Sequence, residues 1–323
     1  FLSMAGEMYR SIRNLDKAVE YGKKAVALKP KAPAFLGNLG VAYFDNGDLE
    51  LAENYHVKAL AVDPHHISSL NNLGGIAQAR YQLAKAGLFY NKVLNLNPNH
   101  IETLTNLGAL LTEQRQPEAA IPILAKAINL NPRIATAHCN IGFALLAMEQ
   151  PEKAKLGFDE ALRLDATSVK AIQGLATVFL EKKQFDEALA MIQKGLEISP
   201  EDADIHCILG NIHRGNGFTA KASTAYNRAI ALNAKHVRAR TALGELLTEI
   251  GDSGAAEKQL IDAIQLDENN LAARLSLASL KKVTSNDRNM QWLAAEAETL
   301  RTSEETRALP IHFALGKCYD DIK

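Results

Sequence analysis

Aromatic residues make up only 6% of this 323-residue chain, and a single Trp is among them. Cysteine is scarcer still. Three residues cannot build a disulfide framework, so a reducing, cytoplasmic compartment is expected. No apolar run approaches the roughly 18 residues of a membrane span, so no membrane partner is expected. Neither sign of charge is in excess: Lys plus Arg total 36, Asp plus Glu 37, and the net charge is −1. That balance argues against a basic face held on nucleic-acid phosphates. Gly (20) and Pro (10) are too few for a collagen-like chain, and an apolar share of 47% excludes disorder. Catalytic signatures are missing as well: no G-x-x-x-x-G-K-[ST], G-x-S-x-G, H-E-x-x-H or C-x-x-C. No cofactor and no chemistry of its own are expected. The chain opens on Phe1 rather than Met, so a natural N-terminus with any targeting segment is expected upstream.

What the sequence does have is self-similarity. Pro30, Pro64, Pro98, Pro132 and Pro200 fall on one frame of 34 residues, continued by Ala166, Ala234 and Glu268. Twelve residues before each stands Ala: Ala18, Ala52, Ala86, Ala120, Ala154, Ala188, Ala222 and Ala256. A second column is Gly or Ala, from Gly6 and Gly40 through Gly142 and Ala176 to Ala278. A third is Leu or Ile, from Leu39 to Leu277. Within one unit, Leu36, Leu39, Gly40 and Tyr43 lie on one helical face, and Ala52, Tyr55, His56, Ala59 and Leu60 on another. Gly47 between them suits a left-handed cap, and Pro64 stops the second helix. The Ala column predicts near-complete burial of Ala52, Ala120, Ala154 and Ala188 where two helices touch.

Two helices in 34 residues, with L-G, Y, A, A and P at these offsets, resemble the tetratricopeptide repeat. The resemblance implies an all-α, right-handed superhelical solenoid of about nine and a half hairpins. Its expected function is protein or peptide binding in the concave groove lined by the first helices. Units are expected at 1–32, 33–66, 67–100, 101–134, 135–168, 169–202, 203–236 and 237–270. A degenerate, lengthened unit follows at 271–308, and 309–323 reads as the first helix of a truncated one. The fourth position, usually Trp in this family, holds Leu36, Leu70, Leu104, His138, Ile172, His206 and Arg240, and is expected only to supply bulk. A capping-box pattern over 302–305 suggests a helix start near Ser303. Leu309, Phe313 and Leu315 then lack a covering helix, so self-association through exposed terminal helices is expected.

Asn38, Asn72, Asn106 and Asn140 recur at the 34-residue period, in GNLG, NNLG, TNLG and CNIG. A carboxamide donates and accepts, so a row of them can pair with the backbone of an extended chain. The row resembles the asparagine ladder of O-linked N-acetylglucosamine transferases, which holds protein substrates. It ends after Asn140, so any grip is expected in the N-terminal half. Phe44, Gln78 and Thr112 form a neighbouring inward column, and Phe143 belongs to another. The lysine and asparagine clamp of chaperone-binding relatives is not expected, since Gly37 with Val41 and Asn71 with Gly75 occupy its places. The pairs His138–Cys139 and His206–Cys207 stand two units apart, too far to share a metal. His138 and His206 are expected to fill the bulky column, with the Cys on the groove and His213 in the core. His65, His66, His100 and His236 read as loop residues. Finally, LPIHFALGKCYDDIK at 309–323 resembles the junction in bacterial proteins that join such repeats to a sulfotransferase domain. That resemblance implies an alternative function, the substrate-recruiting arm of a larger transferase.

Overall fold

The computed structural model describes residues 1–280, 284, 287–299 and 305–322. Among them are nineteen helices and no strand. They form two compact units, 1–168 and 169–323. Unit 1 holds five helix pairs: α1 (Leu2–Ser11) with α2 (Leu15–Leu28), α3 (Pro33–Asp45) with α4 (Leu49–Val62), α5 (Ile67–Ala79) with α6 (Leu83–Leu96), α7 (Ile101–Glu113) with α8 (Pro117–Leu130), and α9 (Ala135–Ala147) with α10 (Pro151–Leu164). Unit 2 continues with α11 (Val169–Glu181) and α12 (Phe185–Ile198), α13 (Ala203–Gly215) and α14 (Thr219–Leu232), α15 (Val237–Glu249) and α16 (Ser253–Leu266). It ends with α17 (Leu271–Leu280), α18 (Arg288–Thr299) and α19 (Glu305–Ile322). The expected start near Ser303 and the residues 300–304 lie outside the described residues.

The Ala column is the contact between the two helices of each hairpin. Ala52, Ala120, Ala154 and Ala188 are all fully buried. Ala120→Leu inserts three heavy atoms beside Leu124 and Ala144, and is expected to cost about 1–3 kcal/mol by overpacking. An unchanged urea midpoint for this variant would contradict the packing described here.

The Gly column has a sharper purpose than its smallness suggested. From Gly40 onward each glycine of the column lies under one large side chain of its partner helix, whereas Gly6 lies against the backbone of Ala18 and Gly22. A Cβ on Gly40 would meet His56 at 2.8 Å, and one on Gly74 would meet Tyr90 at 2.3 Å. The same collision recurs as Gly108 with Leu124, Gly142 with Phe158, Gly210 with Tyr226 and Gly244 with Leu260. The partner column therefore fills the hairpin interior, and its members are fully or almost fully buried.

The turn inside each of the first eight hairpins is left-handed at a fixed place. Gly47, Gly217 and Gly251 have φ of 82°, 80° and 86°, and Arg13, Tyr81, Arg115, Glu149 and Lys183 adopt φ of 56–61° at the equivalent points. A side chain there crowds its own carbonyl, which glycine avoids. Lys183→Gly is thus expected to raise stability by about 0.5–1 kcal/mol, because Lys183 is exposed and relief of strain outweighs the added chain entropy. Thermal unfolding of the variant checks this; a lower midpoint contradicts it.

Two expectations need correction. The fourth position supplies more than bulk. His138, His206, Arg240 and Arg274 each donate to the carbonyl six residues earlier, that of Pro132, Pro200, Ala234 and Glu268. In these four units the bond ties the start of the hairpin to the end of the one before it. The second correction concerns the last helix. Leu315 is buried with Ile311, Ala314 and Cys318 against Met290, Leu293 and Ala278 of α18 and α17. The helix turns its other face outward, so only Leu309 and Phe313 of the expected three are exposed.

Candidate functional site

In unit 1 the first helices pack on one another in sequence: α1 on α3, α3 on α5, α5 on α7 and α7 on α9. Among the described residues no second helix packs on the next second helix. First helices that touch while second helices fan apart place α1, α3, α5, α7 and α9 on the inner side of the unit's curve.

All four row asparagines sit on these helices, and all four are half-buried. The row is more structural than expected. Asn38 donates through Nδ2 to Ser3 Oγ (2.9 Å) and to Glu7 of α1. Asn106 donates to Asn71 Oδ1 at 3.3 Å and Asn140 to the Thr105 carbonyl at 3.2 Å. Each partner belongs to the preceding first helix. Asn72 would need a side-chain acceptor at Gly37, finds none, and donates to the Ser68 carbonyl of its own helix at 2.8 Å. Carbonyl oxygens only accept, so the amides of Asn72 and Asn140 are oriented with nitrogen toward the protein. Among the described residues none of the four Oδ1 atoms receives a protein donor. The row is therefore a set of fixed acceptors.

Around it runs a polar lattice that the sequence reading missed. Asn71 is buried, donates to Glu102 Oε1 (2.9 Å) and accepts from Thr103 Oγ1 (2.7 Å). Gln78 donates to Glu113 Oε2 (2.8 Å) and accepts from the Tyr90 hydroxyl (3.1 Å). Burial, with Glu102 and Glu113 nearby, pushes that hydroxyl's pKa up, so it stays a donor. Thr112 turns its hydroxyl back to the Gly108 carbonyl at 3.0 Å. Phe143 and Phe158 pack nearly perpendicular with ring centres 5.0 Å apart, and Phe44 packs on the core around Tyr43 and Ile76. Both Phe rings are half-buried, leaving part of each surface to solvent. No Lys or Arg occurs on α3, α5, α7 or α9, whereas Asp45, Glu102 and Glu113 do.

The family models agree with this architecture. One described as the cilia and flagella-associated protein 70 C-terminal domain matches residues 66–278, and one described as tetratricopeptide repeat matches residues 3–69. The chain belongs to the tetratricopeptide-repeat family. A tetratricopeptide repeat protein 21 homolog of Caenorhabditis elegans is 29% identical over 101 residues, covering 31% of this chain and 8% of that protein. Protein NPGR2 of Arabidopsis thaliana is 25% identical over 160 residues, covering 46% and 22% respectively. The chain thus spans less than a quarter of either relative. In fold it is similar to a tetratricopeptide repeat protein from Parabacteroides merdae (TM-score 0.60, 20% identity, 75% of this chain and 96% of that one). It is also similar to Pseudomonas aeruginosa pilF (TM-score 0.51, 22% identity, 65% and 96%).

Other residues of the tetratricopeptide array fall elsewhere than expected. Cys139 and Cys207 are buried rather than lining the groove. His213 is half-buried beside an open groove, not in the core. His100 and His236 are not plain loop residues: they cap α7 and α15, their Nδ1 accepting from the backbone of Thr103 and Ala239. His236 also bonds Asp204, which with Arg238 alongside holds that carboxyl down at about 2. Among the described residues no group of three or more His, Cys, Asp or Glu is placed to hold a metal. No helix among them is long and apolar enough to cross a membrane.

One histidine of the lattice is buried completely. His56 fills the place of Tyr90 and Phe158 in its own hairpin, with Nδ1 3.2 Å from Ser69 Oγ, which also meets His66. Burial, reinforced by His66, pulls its pKa from 6.5 to about 4. The folded state therefore disfavours the imidazolium. Stability from this site is complete above 6.5 and is lost as pH falls through about 4. Acidification from pH 7 to 4.5 is expected to cost unit 1 about 2–3 kcal/mol through this group. His56→Leu should remove that share. Urea unfolding of both proteins at the two pH values checks it, and parallel losses would contradict it.

Proposed function

We propose that unit 1 holds an extended peptide against its inner face through the asparagine row. The observation that supports this reading is the set of four Oδ1 acceptors on consecutive first helices, with their nitrogens committed to the scaffold. An acceptor so placed takes a backbone N–H, and a row of them follows a main chain without demanding one side-chain sequence. The carboxylates of Glu102 and Glu113, with no cation on α3, α5, α7 or α9 and with Asp45 paired to Arg10 of α1, favour a neutral or basic peptide over an acidic one. Phe44 and Phe143 offer apolar area to occasional large side chains, and Gln78 and Thr112 border the path. A peptide array probed with the wild-type chain and with a variant carrying Asn38→Ala, Asn72→Ala, Asn106→Ala and Asn140→Ala tests it. Neutral and basic peptides captured by the first and lost by the second support the reading; equal capture by both removes it.

The competing reading makes the array the recruiting arm of a larger transferase, a sulfotransferase by the resemblance of 309–323. The sequence of the protein following Lys323 tests that. A sulfotransferase domain there supports it, and further hairpins without one remove it.

A further inference from the structure

On the second helix of each unit, one position carries a ring or another large side chain in most hairpins: Tyr21, Tyr55, Phe89, Ile123 and Met191 at intervals of 34 or 68. In the first three a lysine three residues later lies over that ring: Lys24 over Tyr21 at 5.0 Å, Lys58 over Tyr55 at 4.7 Å and Lys92 over Phe89 at 5.7 Å. Tyr21 and Tyr55 also stack on Tyr9 and Tyr43 of the first helix, at 5.1 and 5.5 Å. In the hairpin of α13 and α14 the same frame keeps the cation and lacks the ring. Arg228 stands in the lysine column, Ala225 in the ring column, and His213 in the place of Tyr9 and Tyr43.

The missing ring leaves space. A groove of about 450 Å³ opens there, floored by Leu209 and Ala225 and bordered by His206, His213, Lys221 and Arg228. The other hairpin with a small residue in this column closes up instead. A Cβ on Gly157 would lie 2.9 Å from the His138 carbonyl, so helix backbone fills that space. At Ala225 the gap stays open as a groove, with the alanine itself almost wholly buried at its base. The border is cationic without compensation: helix α14 carries no acidic residue, and none lines the groove. Among the described residues Lys221 and Arg228 form no ion pair. Lys221 lies over Phe218 at one end, at 5.0 Å, and His213 meets the edge of the same ring.

We propose that this groove of unit 2 docks an acidic peptide segment that inserts one aromatic side chain over Ala225. The inserted ring takes the place of Tyr55 in its own hairpin: the first-helix side chain on one face, the cation of Arg228 on the other. Carboxylates on either side of it meet Lys221 and Arg228. Aromatic anchors seated in a pocket within a charged border are the usual centre of such contacts. The site is separate from the asparagine row, which lies in unit 1 and favours the opposite charge.

The probe is an acetylated, amidated heptapeptide with a central Phe between acidic residues, titrated calorimetrically into the full chain at low salt. Two control peptides carry Ala at the centre or Lys in place of the acids. Each control is expected to bind at least about tenfold more weakly. Ala225→Tyr places the chain's own ring at the groove, as in the hairpin of Tyr55, and should lower affinity about tenfold or more, with thermal unfolding alongside to show that the variant is folded. Lys221→Glu with Arg228→Glu changes only exposed side chains and should do the same. The quadruple asparagine variant should bind the probe as the wild type does. No binding of the Phe probe, or equal binding by the two groove variants, overturns the proposal. So does uptake of phosphatidylserine vesicles, or self-association abolished by Ala225→Tyr, where the peptide itself is not bound.

Discussion

Phe158→Ala lowers the stability of unit 1 by about 3–5 kcal/mol. The ring is fully buried. It lies directly over Gly142, where an added Cβ would come within 2.6 Å of it, and it packs on Phe143 with the two rings nearly perpendicular. The space closes only in part, because the surface under the ring is backbone of α9 at Gly142, and backbone does not repack as a side chain does. The loss therefore includes both the transfer of the ring to water and the residual cavity. Phe158→Leu is the informative companion. Leu124 and Leu260 fill the same place over Gly108 and Gly244, so a leucine fits the hairpin and should cost less than about 1.5 kcal/mol. Urea unfolding of the two variants distinguishes them. If Phe158→Ala costs less than about 1 kcal/mol, the pairing of each glycine with one large side chain does not carry the hairpin as described.

Replacing Asn38, Asn72, Asn106 and Asn140 together by Ala is expected to weaken binding of a peptide held as proposed by at least about thirtyfold. Each carboxamide oxygen contributes about 0.5–1.5 kcal/mol net, since water competes for the same groups. Four of them therefore amount to roughly 2–6 kcal/mol. Single replacements should each weaken binding about two- to tenfold. Stability does not stay untouched, in contrast to a row of purely solvated residues. The Nδ2 bonds of Asn38, Asn106 and Asn140 reach the preceding first helix, so the quadruple variant also loses ties between hairpins. Those groups are half-exposed, and water replaces each bond at a cost of no more than about 1 kcal/mol. Calorimetric titration with a captured peptide, beside thermal unfolding, measures both effects. Intact affinity in a destabilised variant would leave the row a purely structural device.

Much of the fold is legible in the sequence because it is local. The Ala column, Gly47 and Pro64 mark helix contacts, turns and ends with information that lies within one 34-residue unit. The candidate site is legible only in part, because its hydrogen bonds join residues 35 apart. Asn106 to Asn71 and Asn140 to Thr105 depend on the offset between neighbouring first helices, which no single unit encodes. The same is true of His206 and Arg240, whose polarity looked incidental until the carbonyls of Pro200 and Ala234 were found beside them. Leu315 was misassigned for a related reason. A residue's face on α19 is fixed by α17 and α18, and the lengthened connection hides that register. The groove at Ala225 was open to discovery from sequence, since the ring column is periodic. Its depth was not, because Gly157 in the same column closes its gap by backbone approach.

Four fixed oxygens are proposed to read the main chain of a bound peptide. Replacing single amides of a captured peptide by esters tests it most directly, because an ester removes one N–H and leaves every side chain in place. At successive positions the ester peptide is expected to bind the wild-type chain about two- to tenfold more weakly, and the quadruple asparagine variant is expected not to distinguish ester from amide. Equal affinity of the wild-type chain for ester and amide peptides at every position would contradict it.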